Sequence, residues 1–152
     1  MKIRSGFVSN SSSSSFIVID NSGKYCSLPF DLDNGLLVVG DNGCCEFGWE
    51  ETTYDSIYDR INFTYLQTDC GEDFNRLKML EDVLKQQVKG LTKIIWNISY
   101  KYPSKDGKIH GYIDHQSARC EGQNMEMFKS NETLRDFIFG RGSYIQGGND
   151  NN

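Results

Sequence analysis

Five consecutive serines, at positions 11–15, lead without a linker into the apolar, β-branched segment 16–19. A short apolar run of this composition predicts a buried strand, and the turn residues at 20–23 end it. A serine run alone is typical of a flexible tail, but here the backbone continues directly into the predicted core. We therefore expect a Ser-rich amino-terminal arm, residues 1–15, that docks on a specific surface.

Two further pairs of short segments predict β-hairpins. Segment 36–39 is apolar, and Asp41-Asn42-Gly43 suits a tight turn into a returning strand over 44–49. Segment 93–102 alternates apolar and polar residues, which indicates a half-buried strand. The Pro- and Gly-containing turn after it predicts that residues 108–114 return as its hairpin partner.

Three segments have the apolar spacing of amphipathic helices. The first is expected to be capped by Thr53, the second to run over about 73–89, and the third over about 131–139. A last short strand is expected at 143–146. Because hairpins outnumber the βαβ crossovers, the pattern predicts an α+β fold in which two longer helices and one short helix pack on an antiparallel or mixed sheet of about five to six strands.

The chain of 152 residues has the usual length of one domain, residues 1–152, with 147–152 as a polar tail. Its 9 Phe, 8 Tyr and 2 Trp predict a core built around aromatic rings. The net charge of −5 argues against broad contact with nucleic-acid phosphates.

Between positions 46 and 59 the chain carries five acidic residues and no basic one. The ordinary interpretation is a solvated face and the first turn of a helix, where the helix dipole favours carboxylates. The functional interpretation is a surface that meets a basic partner. Its candidate binding residues are Glu50, Glu51 and Asp55.

The five cysteines form an odd set, and the amino terminus lacks the apolar stretch of a secretory signal. Free thiols in a reducing cytosol are therefore expected, and no segment has the length of a membrane span. His110 and His115 have the spacing of half a zinc site but lack a matching C-x₂₋₄-C pair. No metal and no cofactor are expected.

A catalytic alternative rests on Asp114, His115 and Ser117, which place a carboxylate, an imidazole and a hydroxyl within four residues. A small hydrolase or transferase could use them, with Arg141 and its flanking glycines holding an anion. Adjacent strand residues point to opposite faces, however, so a strand-ending turn explains the same residues. For Arg141 the competing interpretation is a turn after a helix.

A second alternative is single-stranded nucleic-acid binding by the predicted hairpin over 93–112. Basic residues alternate there with aromatic ones, which is the composition of a base-stacking surface. These residues are Lys93, Lys101, Lys105, Lys108, Trp96, Tyr100, Tyr102 and Tyr112. The alternation of the aromatics also fits core packing, and nucleic acid is not the favoured partner.

The opening segment, RSGFVSNSSSSSF over residues 4–16, resembles the start of many small, mostly uncharacterised bacteriophage proteins. Segments 111–117 and 140–152 are similar to the same group over shorter stretches. The resemblance implies a phage origin and a location in the host bacterial cytoplasm or the virion. It implies no catalytic residues.

The leading hypothesis is a non-enzymatic accessory protein that binds a phage or host protein, and a homo-oligomer is a further possibility. The tag-like amino terminus, the acidic run and the lack of a coherent catalytic motif favour it. The candidate binding residues are Arg4, Phe7, Ser11, Ser12, Ser13, Glu50, Glu51, Asp55 and Arg141.

Overall fold

A computed structural model describes residues 2–5, 16–29, 31–48, 50–103, 105–114 and 122–148. The strands are β1 (Lys2–Ser5), β2 (Phe16–Asp20), β3 (Leu36–Val39), β4 (Glu46–Phe47), β5 (Thr52–Tyr54), β6 (Lys93–Trp96), β7 (Ile98–Ser99), β8 (Ile109–His110), β9 (Tyr112–Ile113) and β10 (Tyr144–Gly147). The α-helices are α1 (Ile57–Gln67), α2 (Phe74–Gln87) and α3 (Asn131–Phe139). A 3₁₀ helix spans Gly122–Lys129, and a 3₁₀ turn spans Lys105–Gly107.

The main sheet has four antiparallel strands in the order β1-β2-β10-β5. Three two-stranded pairs lie beside it, and all of them are parallel. The α+β class with an antiparallel sheet is therefore confirmed. Within the described residues, none of the helices combines the length and apolar character that a membrane crossing requires.

The two ends of the described chain both contribute strands to the main sheet. Lys2–Ser5, predicted as part of the Ser-rich arm and not as a strand, forms edge strand β1, in which Arg4 lies opposite Val18 of β2. A buried strand needs hydrogen-bond partners on both sides, and β1 and β10 supply them for β2. At the other end, Gly147 belongs to β10 and not to a tail. Phe7, Ser11, Ser12 and Ser13 lie outside the described residues.

The first predicted hairpin is wrong, because β3 pairs in parallel with β6 and β4 pairs in parallel with β9. Helix α1 explains the difference. The buried Asn62 side-chain amide donates to the carbonyls of Asn42 (2.7 Å) and Cys44 (3.0 Å), and the Cys44 N–H donates to the Asp59 carboxylate (2.6 Å). These bonds direct the backbone after the turn toward α1 and away from β3.

The second predicted hairpin is also wrong, because β7 and β8 run parallel. The intervening segment turns through Asp106 (φ 63°) and Gly107 (φ 69°), so that the chain enters β8 in the same direction as β7. The N–H of Ile109 then donates to the backbone carbonyl of Asn97 (3.0 Å), and the N–H of Gly111 donates to the backbone carbonyl of Ser99 (2.9 Å). The segment continues into β9, which brings it beside β4.

Helix α1 begins at Ile57 and is capped by Ser56, not by Thr53 as predicted. The Ser56 hydroxyl accepts the Asp59 N–H at 3.0 Å, and the Asp59 carboxylate accepts the Ser56 N–H at 3.4 Å, which completes a capping box. Thr53 lies in β5 and donates its hydroxyl to Gln146 at 2.6 Å. Glu50 and Glu51 therefore precede a strand and are not in the first turn of a helix.

The other two helices are confirmed, α2 to within two residues of the predicted ends and α3 over the predicted range. Both start with a side-chain cap that was not predicted, Asp73 for α2 and Ser130 for α3. The apolar residues at helical spacing that predicted α2 are Leu77, Leu80, Leu84 and Val88. Leu80, Leu84 and Val88 are buried, whereas Leu77 is half-buried. The 3₁₀ helix before α3 was not predicted.

Helix α1 lies at the centre of the core and is buried on nearly every side. The fully buried Phe63 contacts Phe47 of β4 at 5.2 Å and Phe137 of α3 at 6.2 Å, measured between ring centroids. Both pairs have the edge-to-face geometry that aromatic quadrupoles favour. The predicted aromatic core is therefore confirmed, and α1 connects its parts.

A buried arginine links α1 to the end of α3. Arg60, 1% exposed, donates to the carbonyls of Ile138 (2.8 Å), Asp55 (2.7 Å) and Ser143 (2.8 Å) and to the Cys26 sulfur (3.3 Å). Burial lowers the pKa of the guanidinium. The carbonyl of Ile138 lies in the last turn of α3, where it has no partner within the helix, so Arg60 completes that helix end.

The same region holds the buried carboxylate of Asp20, which accepts the N–H groups of Ser22 (3.0 Å) and Gly142 (2.8 Å). Burial alone raises the pKa of Asp20, but the hydrogen bonds outweigh it and the pKa is lowered. A carboxyl with a lowered folded-state pKa stabilises the fold above the unfolded-state pKa, about 3.9, and loses this contribution as the pH falls through the folded-state value.

We therefore expect Asp20→Asn to be less stable than the wild type at about pH 7, with the difference shrinking at about pH 3. Urea unfolding of both proteins at the two pH values measures it. A difference that stays constant with pH would show that the Asp20 charge contributes nothing.

Candidate functional site

Three aromatic side chains form a row on the surface next to β8 and β9. The Tyr102 ring lies 5.4 Å from the His110 ring, and the His110 ring lies 5.9 Å from the Tyr112 ring. Tyr102 is 84% exposed, whereas His110 and Tyr112 are half-buried. His110 is oriented by its Nε2–H, which donates to the Tyr100 carbonyl at 3.0 Å. The row therefore presents ring faces and edges to solvent in a fixed arrangement.

The parallel pairing of β4 with β9 places acidic residues at the end of this row. Glu46 is the register partner of Tyr112, and its side chain is exposed. Burial and then the carboxylates of Glu46, Asp114 and Glu50 raise the pKa of Tyr112. We call the set Tyr102, His110, Tyr112, Glu46 and Glu50 the aromatic–acidic strip.

Three further acidic residues belong to the same part of the chain. Asp41, Glu51 and Asp55 are exposed, and in the described part of the chain no ion pair involves any of them, nor Glu46 or Glu50. Neighbouring negative charges also affect buried groups. Burial, followed by the charges of Cys44, Asp59, Glu46 and Asp41, raises the pKa of Cys45 to about 11. Burial, Cys44, Glu50 and Asp59 likewise raise the pKa of Tyr54 to about 12. Asp55 and Asp59 of the acidic run also stabilise the positive charge of Arg60, whereas Glu46 and Glu50 form no ion pair within the described residues.

The basic residues of the predicted nucleic-acid surface lie in a different environment. Lys101 and Lys108 line a cleft of about 250 Å³ together with the carboxylates of Asp69, Glu72 and Asp106. These carboxylates offset the lysine charges that a phosphate backbone would need. Lys93 is exposed in β6, and Lys105 lies in the 3₁₀ turn.

The four aromatic residues of that surface also divide into two pairs. Trp96 stacks on Tyr65 of α1, with 4.7 Å between centroids and 8° between planes. Tyr100 donates its hydroxyl to the carbonyl of Leu66, also in α1. Only Tyr102 and Tyr112 of the four belong to the surface row, and Tyr112 faces carboxylates.

The proposed catalytic group is not assembled among the described residues. Asp114 is 2% exposed, and its backbone N–H donates to the Phe47 carbonyl at 2.8 Å. His115 and Ser117 lie outside the described residues. Arg141 is exposed in the turn after α3. Its backbone N–H donates to the Lys24 carbonyl at 2.8 Å, and its guanidinium donates to the Tyr25 carbonyl at 3.4 Å. No contact in the described part joins Arg141 to Asp114.

The vicinal thiols of Cys44 and Cys45 have structural contacts. Cys44 donates to the carbonyl of Glu46 at 3.0 Å, and Cys45 is buried with its sulfur 3.7 Å from the Gly40 carbonyl. Burial, as the largest cause, raises the pKa of both thiols, which disfavours the reactive thiolate. The described residues contain no group of three His, Cys, Asp or Glu side chains arranged to hold a metal ion.

Sequence reasoning identified Glu50 as a binding residue but missed Glu46, Tyr102, His110 and Tyr112 in that role. Tyr102 and Tyr112 had been assigned to a basic surface, because the predicted hairpin placed them beside lysines. The available signal was polar–apolar alternation in segments 44–47 and 110–113, where Glu46 and Tyr112 occupy the outward positions. Two-residue strands carry too little pattern to reveal their pairing.

Comparisons with protein-family models, with curated proteins and with solved structures found no match to this chain.

Proposed function

We propose that this protein is a non-catalytic accessory protein that binds another protein, and that the aromatic–acidic strip receives a basic segment of that partner. The observation that carries the proposal is the register of Glu46 with Tyr112. It joins the surface aromatic row to carboxylates that form no ion pair within the described residues. The resemblance of the amino terminus to phage proteins supports a phage or host protein as the partner.

The chemistry of the strip favours arginine over other side chains. A guanidinium stacks flat on an aromatic ring and also forms bidentate hydrogen bonds with a carboxylate. One arginine can therefore contact Tyr112 and Glu46 together. Cation–π contacts at exposed sites contribute about 0.5–1 kcal/mol each, and exposed ion pairs contribute about 0.2–1 kcal/mol each. Useful affinity therefore requires several basic residues along one segment.

The same features disfavour nucleic acid as the ligand of this strip. Phosphates would approach Glu46, Glu50 and the surrounding carboxylates, and like charges repel. A basic partner gains from the same potential in both association rate and orientation, and the gain falls as salt screens it over about 10 Å at 0.1 M ionic strength.

A fluorescence-anisotropy titration with a labelled tetra-arginine peptide tests the proposal. We expect saturable binding that weakens with added salt. Glu46→Gln and Tyr102→Ala are each expected to raise the Kd by about three- to fivefold, since each removes one exposed contact. Both residues lie at the surface, so the variants should fold.

Glu132→Gln is the matched control, because Glu132 is an exposed carboxylate in the first turn of α3. It removes the same charge as Glu46→Gln and should leave the Kd unchanged. Equal losses in Glu46→Gln and Glu132→Gln would reduce the effect to net charge and contradict a specific strip. Tighter binding of a labelled oligothymidine than of the peptide would favour the nucleic-acid alternative.

A further inference from the structure

A second surface, built from other elements than the strip, lies between α2 and the 3₁₀ helix. A cleft of about 620 Å³ is lined there by Arg76 and Met79 of α2 and by Met125 and Phe128 of the 3₁₀ helix. Residues three apart share one side of a 3₁₀ helix, which places Met125 and Phe128 together. Methionine side chains adapt to the shape of an incoming group, so this lining suits an apolar or aromatic insert.

The polar part of the lining is electrically balanced. Asp73 and Glu126 contribute two negative charges, and Arg76 and Lys129 contribute two positive charges. Arg76 is held in place by its ion pair with Asp73 at 2.9 Å, and its guanidinium lies 5.5 Å from the Phe128 ring centroid. A chain with net charge −5 repels its own copies in general, but this cleft adds nothing to that repulsion.

Directly beside the cleft is the most exposed phenylalanine among the described residues. Phe74, the first residue of α2, is 79% exposed, and its neighbours Asp73 and Asn75 line the cleft. A large apolar side chain left in water marks a contact surface when an apolar receptor for it lies close by. Here the exposed Phe74 ring at the start of α2 lies beside a cleft with apolar lining.

We infer that a second copy of this chain covers the cleft, with Phe74 of each copy seated against Met79, Met125 and Phe128 of the other. A two-fold axis near the start of α2 makes this interface self-complementary, because each copy inserts its Phe74 into the cleft of the other copy. The inference is independent of the proposed peptide-binding function, which uses β4, β8 and β9.

Sedimentation velocity over a range of protein concentrations tests this dimer. The wild type should shift from monomer to dimer as concentration rises. Phe74→Ala should raise the dimer Kd at least about a hundredfold, because the dimer loses two buried rings. Phe74→Leu, which keeps an apolar insert, should retain most of the association.

Two further variants separate the outcomes. Met125→Lys places a charge in the cleft that receives Phe74 and should also weaken the dimer. Tyr102→Ala removes a similarly exposed aromatic ring from the strip and should leave the dimer Kd unchanged. Because Phe74 is exposed, far-UV circular dichroism of Phe74→Ala should match that of the wild type. A wild type that stays monomeric at all concentrations, or a Phe74→Ala variant that dimerises like the wild type, would overturn the inference whatever the peptide titration shows.

Discussion

Replacing Arg60 with alanine is expected to reduce the free energy of unfolding by at least about 3 kcal/mol. The substitution leaves the carbonyls of Asp55, Ile138 and Ser143 without the donors that now reach them at 2.7–2.8 Å. The hydrogen bonds to Ile138 and Ser143 are buried, and each buried carbonyl that loses its partner costs about 1–3 kcal/mol. The large cavity left by the side chain adds to this. Urea unfolding followed by far-UV circular dichroism measures the loss.

Arg60→Lys is the informative companion variant. A lysine keeps the charge but offers one ammonium in place of the planar fork that reaches three carbonyls in different directions. We expect its stability to lie between those of the wild type and Arg60→Ala. If Arg60→Ala cost less than about 1 kcal/mol, Arg60 would not hold α1 to the end of α3 as described.

Phe63→Ala is expected to cost about 3–5 kcal/mol, the usual range for a fully buried phenylalanine. Phe63 has no exposed surface and joins Phe47 of β4 to Phe137 of α3, so its removal opens a cavity between three elements. The same urea measurement applies. Tyr102→Ala serves as the aromatic control: 84% exposed, Tyr102 should change stability by less than about 0.5 kcal/mol. Equal losses in the two variants would contradict the assignment of Phe63 to the core.

The parts of the fold that the sequence predicted well have strong local signals. Helix α3 was predicted over its full range because its apolar residues repeat at helical spacing and Gly140 follows it. Strand β2 was predicted because a continuous apolar run of β-branched residues has few alternatives to a buried strand. Such signals lie within a few residues of the element they specify.

The pairings failed because they depend on contacts that are distant in sequence. Asp41-Asn42-Gly43 does form a turn, yet Asn62 and Asp59 of α1 take up the backbone groups that a hairpin would have used. In the same way, Thr53 has the chemistry of a helix cap but is drawn into β5 by its pairing with β10. Neither competition is visible in the local sequence.

The strip shows the same limit at the level of function. The acidic run and the aromatic segment over 93–112 were each recognised in the sequence. The acidic run was expected to bind a basic protein surface, whereas the aromatic segment was considered for binding to single-stranded nucleic acid. Their juxtaposition follows from a single pair of two-residue strands, Glu46–Phe47 and Tyr112–Ile113. The structure therefore places an acidic residue and an aromatic residue from these two segments next to each other on one surface.

Backbone amide chemical-shift mapping during titration with tetra-arginine tests the central claim most directly, because it reports where the peptide binds. The proposed function predicts that the largest shifts fall on Glu46, Glu50, Tyr102, His110 and Tyr112, with little change along α3. Shifts centred on the Lys101 and Lys108 cleft, or spread evenly over the surface acids, would contradict it.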